Sequence, residues 1–321
     1  MKKLLSISIL VFLTCFAASA QEDSTRTAIP DCTVSYLNRD GEDLLLDIYQ
    51  PSCEIADSPK PTIVFLFGGG FMSGSRNDKS YIPWFKQMTE RGYRIVSIDY
   101  RLGLKGVHKV GLAQKDLVFK AVQMAADDAF SATVFLLRHA SEYGIDPDNI
   151  VLSGSSAGAI TALQCEYEIC NRDKAASGLP EGFNYSGIVS FSGGIGNVSG
   201  PFGFKSRPCP VLLCHGTKDN IVPYDKIAFF NTGMFGPCQI VKDFEKKGYD
   251  NYWILRYPGR KHDIAGSMLY CMDIMDSFIQ RCVMGKAPVK IDAMVYNEAI
   301  PVFKLKNLDD LYSEKKAEGS K

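Results

Sequence analysis

Three widely separated residues have side chains that could work as one chemical unit: Ser156 in the run IVLSGSSAGAI, Asp219 in PVLLCHGTKDNIVP and His262 in YWILRYPGRKHDIAGS. A serine hydroxyl is a poor nucleophile until a base takes its proton, and a carboxylate can orient an imidazole base and stabilise its cation. Ser156 sits at the centre of Gly154-Ser155-Ser156-Ala157-Gly158, a G-x-S-x-G spacing between a buried apolar run and a helix start. A sharp turn there lifts the hydroxyl clear of its own backbone, and small neighbours let the two backbones approach. It also aims the first helical amides, including that of Ala157, toward a negative oxygen formed on attack. The spacing alone is a weak signal, because a glycine-rich helix entry without chemistry meets it too.

A second stretch suits the same chemistry. FLFGGGFMSGS, Phe65 to Ser75, ends an apolar run in three glycines. Without Cβ atoms they can turn bare N–H groups into a cleft as the other half of an oxyanion hole. Neither GxGxxG nor GxxxxGK[ST] follows, which argues against a phosphate-binding turn. Of the four histidines, His139 lies in helical sequence, His215 at a strand end where it reads as structural, and His108 in a loop as a surface or pocket-rim residue. Only His262 combines a loop after a strand with the chain order Ser, Asp, His. Exposed loop aspartates are common, so Asp219 by itself decides nothing. Ser155 precedes the centre of the turn and is expected to point inward, and Asp99 with Arg101 reads as a structural ion pair at a strand end.

Short apolar runs rich in β-branched residues alternate with stretches of helical period, the pattern of a parallel sheet covered by helices on both faces. Strands are expected at Thr62 to Phe67, Tyr93 to Asp99, Ile150 to Gly154, Gly187 to Phe191, Val211 to Cys214 and Tyr252 to Tyr257. Before them VSYLNRDGEDLLLDIYQP reads as a hairpin turning at Asp40-Gly41. Helices are expected at Tyr81 to Arg91, Leu117 to Tyr143, Ser156 to Cys170 and Ile264 to Val283. The fold class is therefore α/β.

The chain has 321 residues, 46% hydrophobic, enough for one large core. Acidic and basic residues both number 36, so no nucleic-acid or anionic-membrane partner is implied. Residues 1–20 join a cationic start, an apolar run and an Ala18-Ser19-Ala20 exit, the parts of a secretory signal peptide. Export to the periplasm or medium is expected, with the mature chain starting at Gln21 and no later membrane span. Ten cysteines become nine when Cys15 leaves, so one thiol at least has no partner within the chain. On an unbroken helix the Cα atoms of Cys165 and Cys170 stand roughly 8 to 9 Å apart, beyond disulfide reach. The absence of any CxxC pair and the scarcity of histidine argue against a zinc site.

Taken together these residues resemble the α/β-hydrolase carboxylesterases of the hormone-sensitive-lipase-like and feruloyl or acetyl esterase kind. FGGGFMSG is similar to that family's HGGG(F/W)xxG, SIDYRL to its DYRL, and GIDPDNIVLSGSSAGA to its GxDPxRIxxxGxSAGG, with HGTKDNIVP and a closing GxxHD. The resemblance runs from about Val34 to Val283. It implies a mostly parallel sheet of about eight strands in a domain over 21–285, with 286–321 a partly flexible extension. It implies Ser156 as nucleophile, Asp219 as orienting acid, His262 as base, and Gly69, Gly70 and Ala157 as oxyanion donors, with no metal or cofactor. Asp225 and Asp263 do not hold the loop position of the family's acid. Phe67 stands where the family usually has a histidine that braces the glycine loop, so bracing by packing is expected instead.

Fewer than twenty residues separate Phe191 from Val211, too few for a helical cap domain, which favours an open cleft and short or aromatic acyl esters, including those on carbohydrate. Two other readings share the scaffold: a serine peptidase of the prolyl-oligopeptidase type, and a binding protein that has lost its activity. The first usually carries a propeller domain, which has no counterpart here, and the second is expected to lack one of the three residues.

Overall fold

The computed structural model describes residues 29–39, 41–52, 60–107 and 114–302. The expected leader, Asp40 of the hairpin turn, His108 and the residues after 302 lie outside the described residues. In chain order the strands are β1 (Cys32–Arg39), β2 (Glu42–Tyr49), β3 (Thr62–Leu66), β4 (Arg94–Ile98), β5 (Ile150–Ser155), β6 (Gly187–Phe191), β7 (Ile195–Asn197), β8 (Val211–Gly216), β9 (Lys226–Phe229), β10 (Thr232–Phe235), β11 (Tyr252–Tyr257) and β12 (Ile291–Met294). The α-helices are α1 (Ile82–Glu90), α2 (Lys115–Arg138), α3 (Ala140–Tyr143), α4 (Ala157–Asn171), α5 (Pro237–Lys247) and α6 (Met272–Phe278).

Nine strands form one sheet in the order β1-β2-β4-β3-β5-β6-β8-β11-β12. The hairpin strand β2 is antiparallel to both neighbours, and every pairing from β4 onward is parallel. Strands β3, β5, β6 and β8 are buried along their whole length, as expected of strands covered on both faces. Helix α4 is buried nearly all round, wedged between α2 and the sheet, which explains its run of small and apolar residues. The middle of the sheet is β5, so its carboxyl end opens at the centre of the edge where parallel sheets place their ligands.

Several expectations need correction. The helix expected over Leu117 to Tyr143 breaks at His139, whose φ of −106° and ψ of 18° leave the helical region before α3. The helix expected over Ile264 to Val283 is instead two 3₁₀ turns, the short α6 and a π-helical segment. A physical reason is visible at its start: the Ala265 carbonyl accepts the Ser155 hydroxyl at 2.8 Å, and Ser267 bonds back to Ile264 through both its amide and its hydroxyl. Asp99 pairs with Arg76 at 2.6 Å rather than with Arg101, whose guanidinium lies 2.9 Å from the buried Asp128.

The boundary expected at 285 falls inside the domain. Residues 291–294 add β12 beside β11, and Arg256 grips Asp292 across that pair at 2.6 and 2.8 Å. Residues 192–210 contain β7 and no helix. β7 joins β10 and β9 in a separate three-stranded antiparallel sheet, an element the sequence reading did not include. Among the described residues no helix is long and apolar enough to cross a membrane.

Candidate active site

The turn between β5 and α4 is built by contact between backbones. A Cβ on Gly158 would run into the Leu66 and Phe67 carbonyls, and one on Gly154 would strike the Gly158 carbonyl. Only glycine lets β3, β5 and the start of α4 come this close. Ser156, between them, has φ 51° and ψ −115°, a conformation that costs on the order of 1–3 kcal/mol for a residue with a side chain. Its amide is tied to the Phe191 carbonyl at 2.9 Å. Ser155 points the other way, as expected, and is buried.

From that turn the Ser156 hydroxyl reaches His262 Nε2 at 2.7 Å, and His262 Nδ1 lies 2.8 Å from Asp219 Oδ2. The three residues stand on loops after β5, β11 and β8. The last two loops are stitched together: the amides of Thr217 and Lys218 donate to the carbonyls of Tyr257 and Arg260 at 3.0 and 2.9 Å. A Cβ on Gly216 would collide with the Arg260 and Lys261 carbonyls, so glycine is required where the loops touch. Asp263 fixes the His262 loop from below, pairing with Arg260 and accepting the Lys261 amide at 2.8 Å. Asp225 lies outside the cluster, on Gln239 and Lys242.

Asp219 is the most heavily bonded of the three. Its Oδ1 accepts the amides of Ile221 and Val222 at 2.9 and 3.0 Å. Its Oδ2 faces two imidazoles, His262 at 2.8 Å and His215 at 3.3 Å. Burial alone would raise its pKa, but the hydrogen bonds from His215 and His262 override that and hold the carboxyl well below the usual range. The structural role expected for His215 at its strand end does not include this contact. Its spacing of four residues from Asp219 was the available signal.

The glycine loop lies alongside. Its Gly68 amide donates to the Tyr81 hydroxyl at 3.0 Å, while Gly69 and Gly70 take φ values of 128° and 63°. Among the described residues the amides of Gly69 and Gly70 have no backbone partner, and that of Ala157, at the first position of α4, has none within the helix. Phe67 is packed face to face on Tyr100, ring centroids 4.3 Å apart, and the Tyr100 hydroxyl donates to the Phe67 carbonyl at 2.6 Å. The far end of the loop is moored by Arg76, which bonds Asp99 and lies 3.0 Å from Asp47, with its carbonyl accepting the Ser97 hydroxyl. Tyr81, Tyr100 and Arg76 were not singled out from the sequence. A groove of about 710 Å³ between β1 and α2, lined in part by Arg39, Phe130 and His139, contains none of these site residues.

The family model described as phospholipase/carboxylesterase matches residues 114–282, just over half of the chain. The chain belongs to this family. A second model, BD-FAE, matches residues 46–173, which include the glycine loop and the Ser156 turn. The chain is similar to gut esterase 1 of Caenorhabditis briggsae, 28% identical over 53% of this chain and 29% of that protein. A probable isoprenylcysteine alpha-carbonyl methylesterase of Arabidopsis thaliana is 33% identical over 36% of this chain and 20% of that protein. The chain thus spans less than a third of the length of these curated relatives. A thermophilic esterase from Thermogutta terrifontis has a similar structure, with a TM-score of 0.54, 24% identity, and coverage of 77% of this chain and 91% of that one. That likeness establishes the α/β-hydrolase fold.

Proposed function

We propose that this chain is an exported serine carboxylesterase acting on short-chain or aromatic acyl esters, acetyl or feruloyl esters of carbohydrates among them. The observation that carries the reading is the unbroken relay from Asp219 through His262 to the Ser156 hydroxyl, at 2.8 and 2.7 Å, together with the Gly69 and Gly70 amides, which have no backbone partner among the described residues. Membership of the phospholipase/carboxylesterase family supports the reaction class. The leader-like residues 1–20 support export, and a connection after β6 without a helix supports an open approach to the serine.

In this mechanism His262 takes the Ser156 proton as the hydroxyl attacks the ester carbonyl. The amides of Gly69, Gly70 and Ala157 bond the resulting oxyanion, a role in which losing one donor typically costs about 10² to 10³ in rate. His262 then protonates the leaving alcohol, and water releases the acyl group from Ser156 by the same route. Asp219 stays ionised throughout and stabilises the imidazolium.

Purified chain from Gln21 onward, assayed on p-nitrophenyl acetate, methyl ferulate and a peptide amide, tests the proposal. Turnover of one or both esters with none of the amide is expected. Amide turnover identifies a peptidase, and silence on all three by folded protein identifies a binding protein. Export is tested separately by N-terminal sequencing of protein recovered outside the cytoplasm, with Gln21 expected first.

A further inference from the structure

His215 ends up beside the orienting carboxylate without any part in the relay just described. It is 1% exposed and lies at the end of β8, where it is registered against Arg256 of β11. Its Nε2 is 3.1 Å from the Val222 carbonyl oxygen and 3.3 Å from Asp219 Oδ2. Both neighbours are acceptors, so that nitrogen must carry the hydrogen whatever the state of Nδ1. An imidazole held in this way is no rival base for Ser156.

We infer that His215 is a positioning residue for the Asp219–His262 pair, its one Nε2–H shared between the Val222 carbonyl and Asp219 Oδ2 and drawing off part of the negative charge that the second imidazole faces. The inference rests on the serine-esterase reading and deepens it. With Ile221 and Val222 on Oδ1 and the two histidines on Oδ2, the carboxylate meets four donors, which fills its acceptor sites. Such a carboxylate orients His262 without becoming a destination for the Nδ1 proton. Its remaining surroundings cannot substitute for His215. Tyr224, whose ring centroid lies 6.1 Å from that of His215, has its hydroxyl bonded to Arg256, and Arg256 is itself paired with Asp292.

Losing this donor has a signature that a purely structural histidine lacks. The two amides still hold Oδ1, but Oδ2 is held less firmly toward His262, and its negative charge, no longer shared, acts more fully on that imidazole and favours the imidazolium. The acid limb of the kcat/KM profile, which reports protonation of the base, then moves to higher pH.

The experiment compares H215Q, whose amide nitrogen reaches close to the Nε2 position, with H215L, which has no donor, and H215N, which is polar but too short. Rates on p-nitrophenyl acetate are measured from pH 4 to 9, with thermal unfolding recorded for each variant. In H215L and H215N, kcat is expected to fall roughly 10-fold, KM to change less than about 2-fold, and the acid limb to rise by about half a pH unit. H215Q is expected to remain within about 3-fold of wild type with its limb in place. If H215L fails to fold, H215N decides. Wild-type kcat and limb in the variants lacking the donor, or H215Q no better than H215N, overturns the inference. Ser156→Ala run beside them separates the two levels. Full turnover in S156A defeats the reading of Ser156 as the nucleophile, whereas a silent S156A with indifferent His215 variants defeats only the role given to His215.

Discussion

Tyr100 lies flat against Phe67, with ring planes 17° apart, and its hydroxyl returns to the Phe67 carbonyl at 2.6 Å, so one side chain holds the root of the glycine loop by both its face and its tip. Both residues are buried, and Phe67 also fills the space in front of Gly74, where a Cβ would meet its ring. This is how the loop is supported with a phenylalanine at its root. Tyr100→Phe keeps the stack and strands a buried carbonyl, so a loss of about 1–3 kcal/mol in unfolding free energy is expected, with a fall in kcat and little change in KM. Tyr100→Ala removes both supports and is expected to cost about 3–5 kcal/mol. Chemical unfolding and steady-state rates check the pair, and equal effects of the two variants would contradict the division between face and tip.

Gly158→Ala is expected to be far more damaging than an Ala substitution in an ordinary helix, where it would help. The added methyl group meets the Leu66 and Phe67 carbonyls, which are backbone atoms of β3 and of the glycine loop. Either α4 shifts and drags Ser156 out of reach of His262, or the chain fails to fold. Activity of at least a tenth of wild type in soluble G158A would contradict this packing.

Glu168 supplies a pH dependence of stability unconnected with the reaction. It is buried on α4, accepting Gln164 at 3.0 Å and Gln123 at 3.3 Å. Burial raises its pKa from 4.5 to about 7, the two amide hydrogen bonds only partly opposing that. Because the folded-state value lies above the unfolded one, the protonated carboxyl favours the fold below about 4.5, and this advantage is lost as pH rises through about 7. Relative to wild type, Glu168→Gln should gain up to about 3 kcal/mol between pH 4.5 and pH 8 in urea unfolding. A gap between the two proteins that does not change with pH would contradict it.

The segment after α6 is expected to matter for the site as well as for the sheet. Arg260, two residues before His262, donates to the carbonyls of Ile300 and Pro301 at 2.9 and 2.8 Å as well as pairing with Asp263. Ending the chain after Val289 removes β12, the Asp292 partner of Arg256 and these carbonyls together. A lower melting temperature and a fall in kcat are expected. Unchanged kcat at a temperature where the shortened chain is folded would show that the His262 loop stands without it.

What could be read from the residues and what could not follows from the range of each constraint. The turn around Ser156 was legible because its glycines answer a local steric demand, and the central strands because burial on both faces leaves continuous apolar runs. Helix α5 is absent from the expected elements although its buried Pro237, Ile240, Val241 and Phe244 fall at the i, i+3, i+4, i+7 spacing of one helical face, whereas all four residues of β9 are exposed and leave no core-facing pattern to read. Asp99 finds Arg76 across 23 residues instead of Arg101 two positions away, a choice made by the path of the glycine loop. The closeness of His215 to Asp219 depends on how a strand end meets its following turn, which spacing alone does not determine.

The most direct measurement of the central claim is the site of reaction with a fluorophosphonate, which modifies serines activated by a neighbouring base. Peptide mapping by mass spectrometry is expected to find one adduct, on Ser156, and to find it lost in His262→Ala, because the 2.7 Å bond between them is the source of the activation. An adduct on Ser155, or undiminished labelling of Ser156 without His262, would contradict the account.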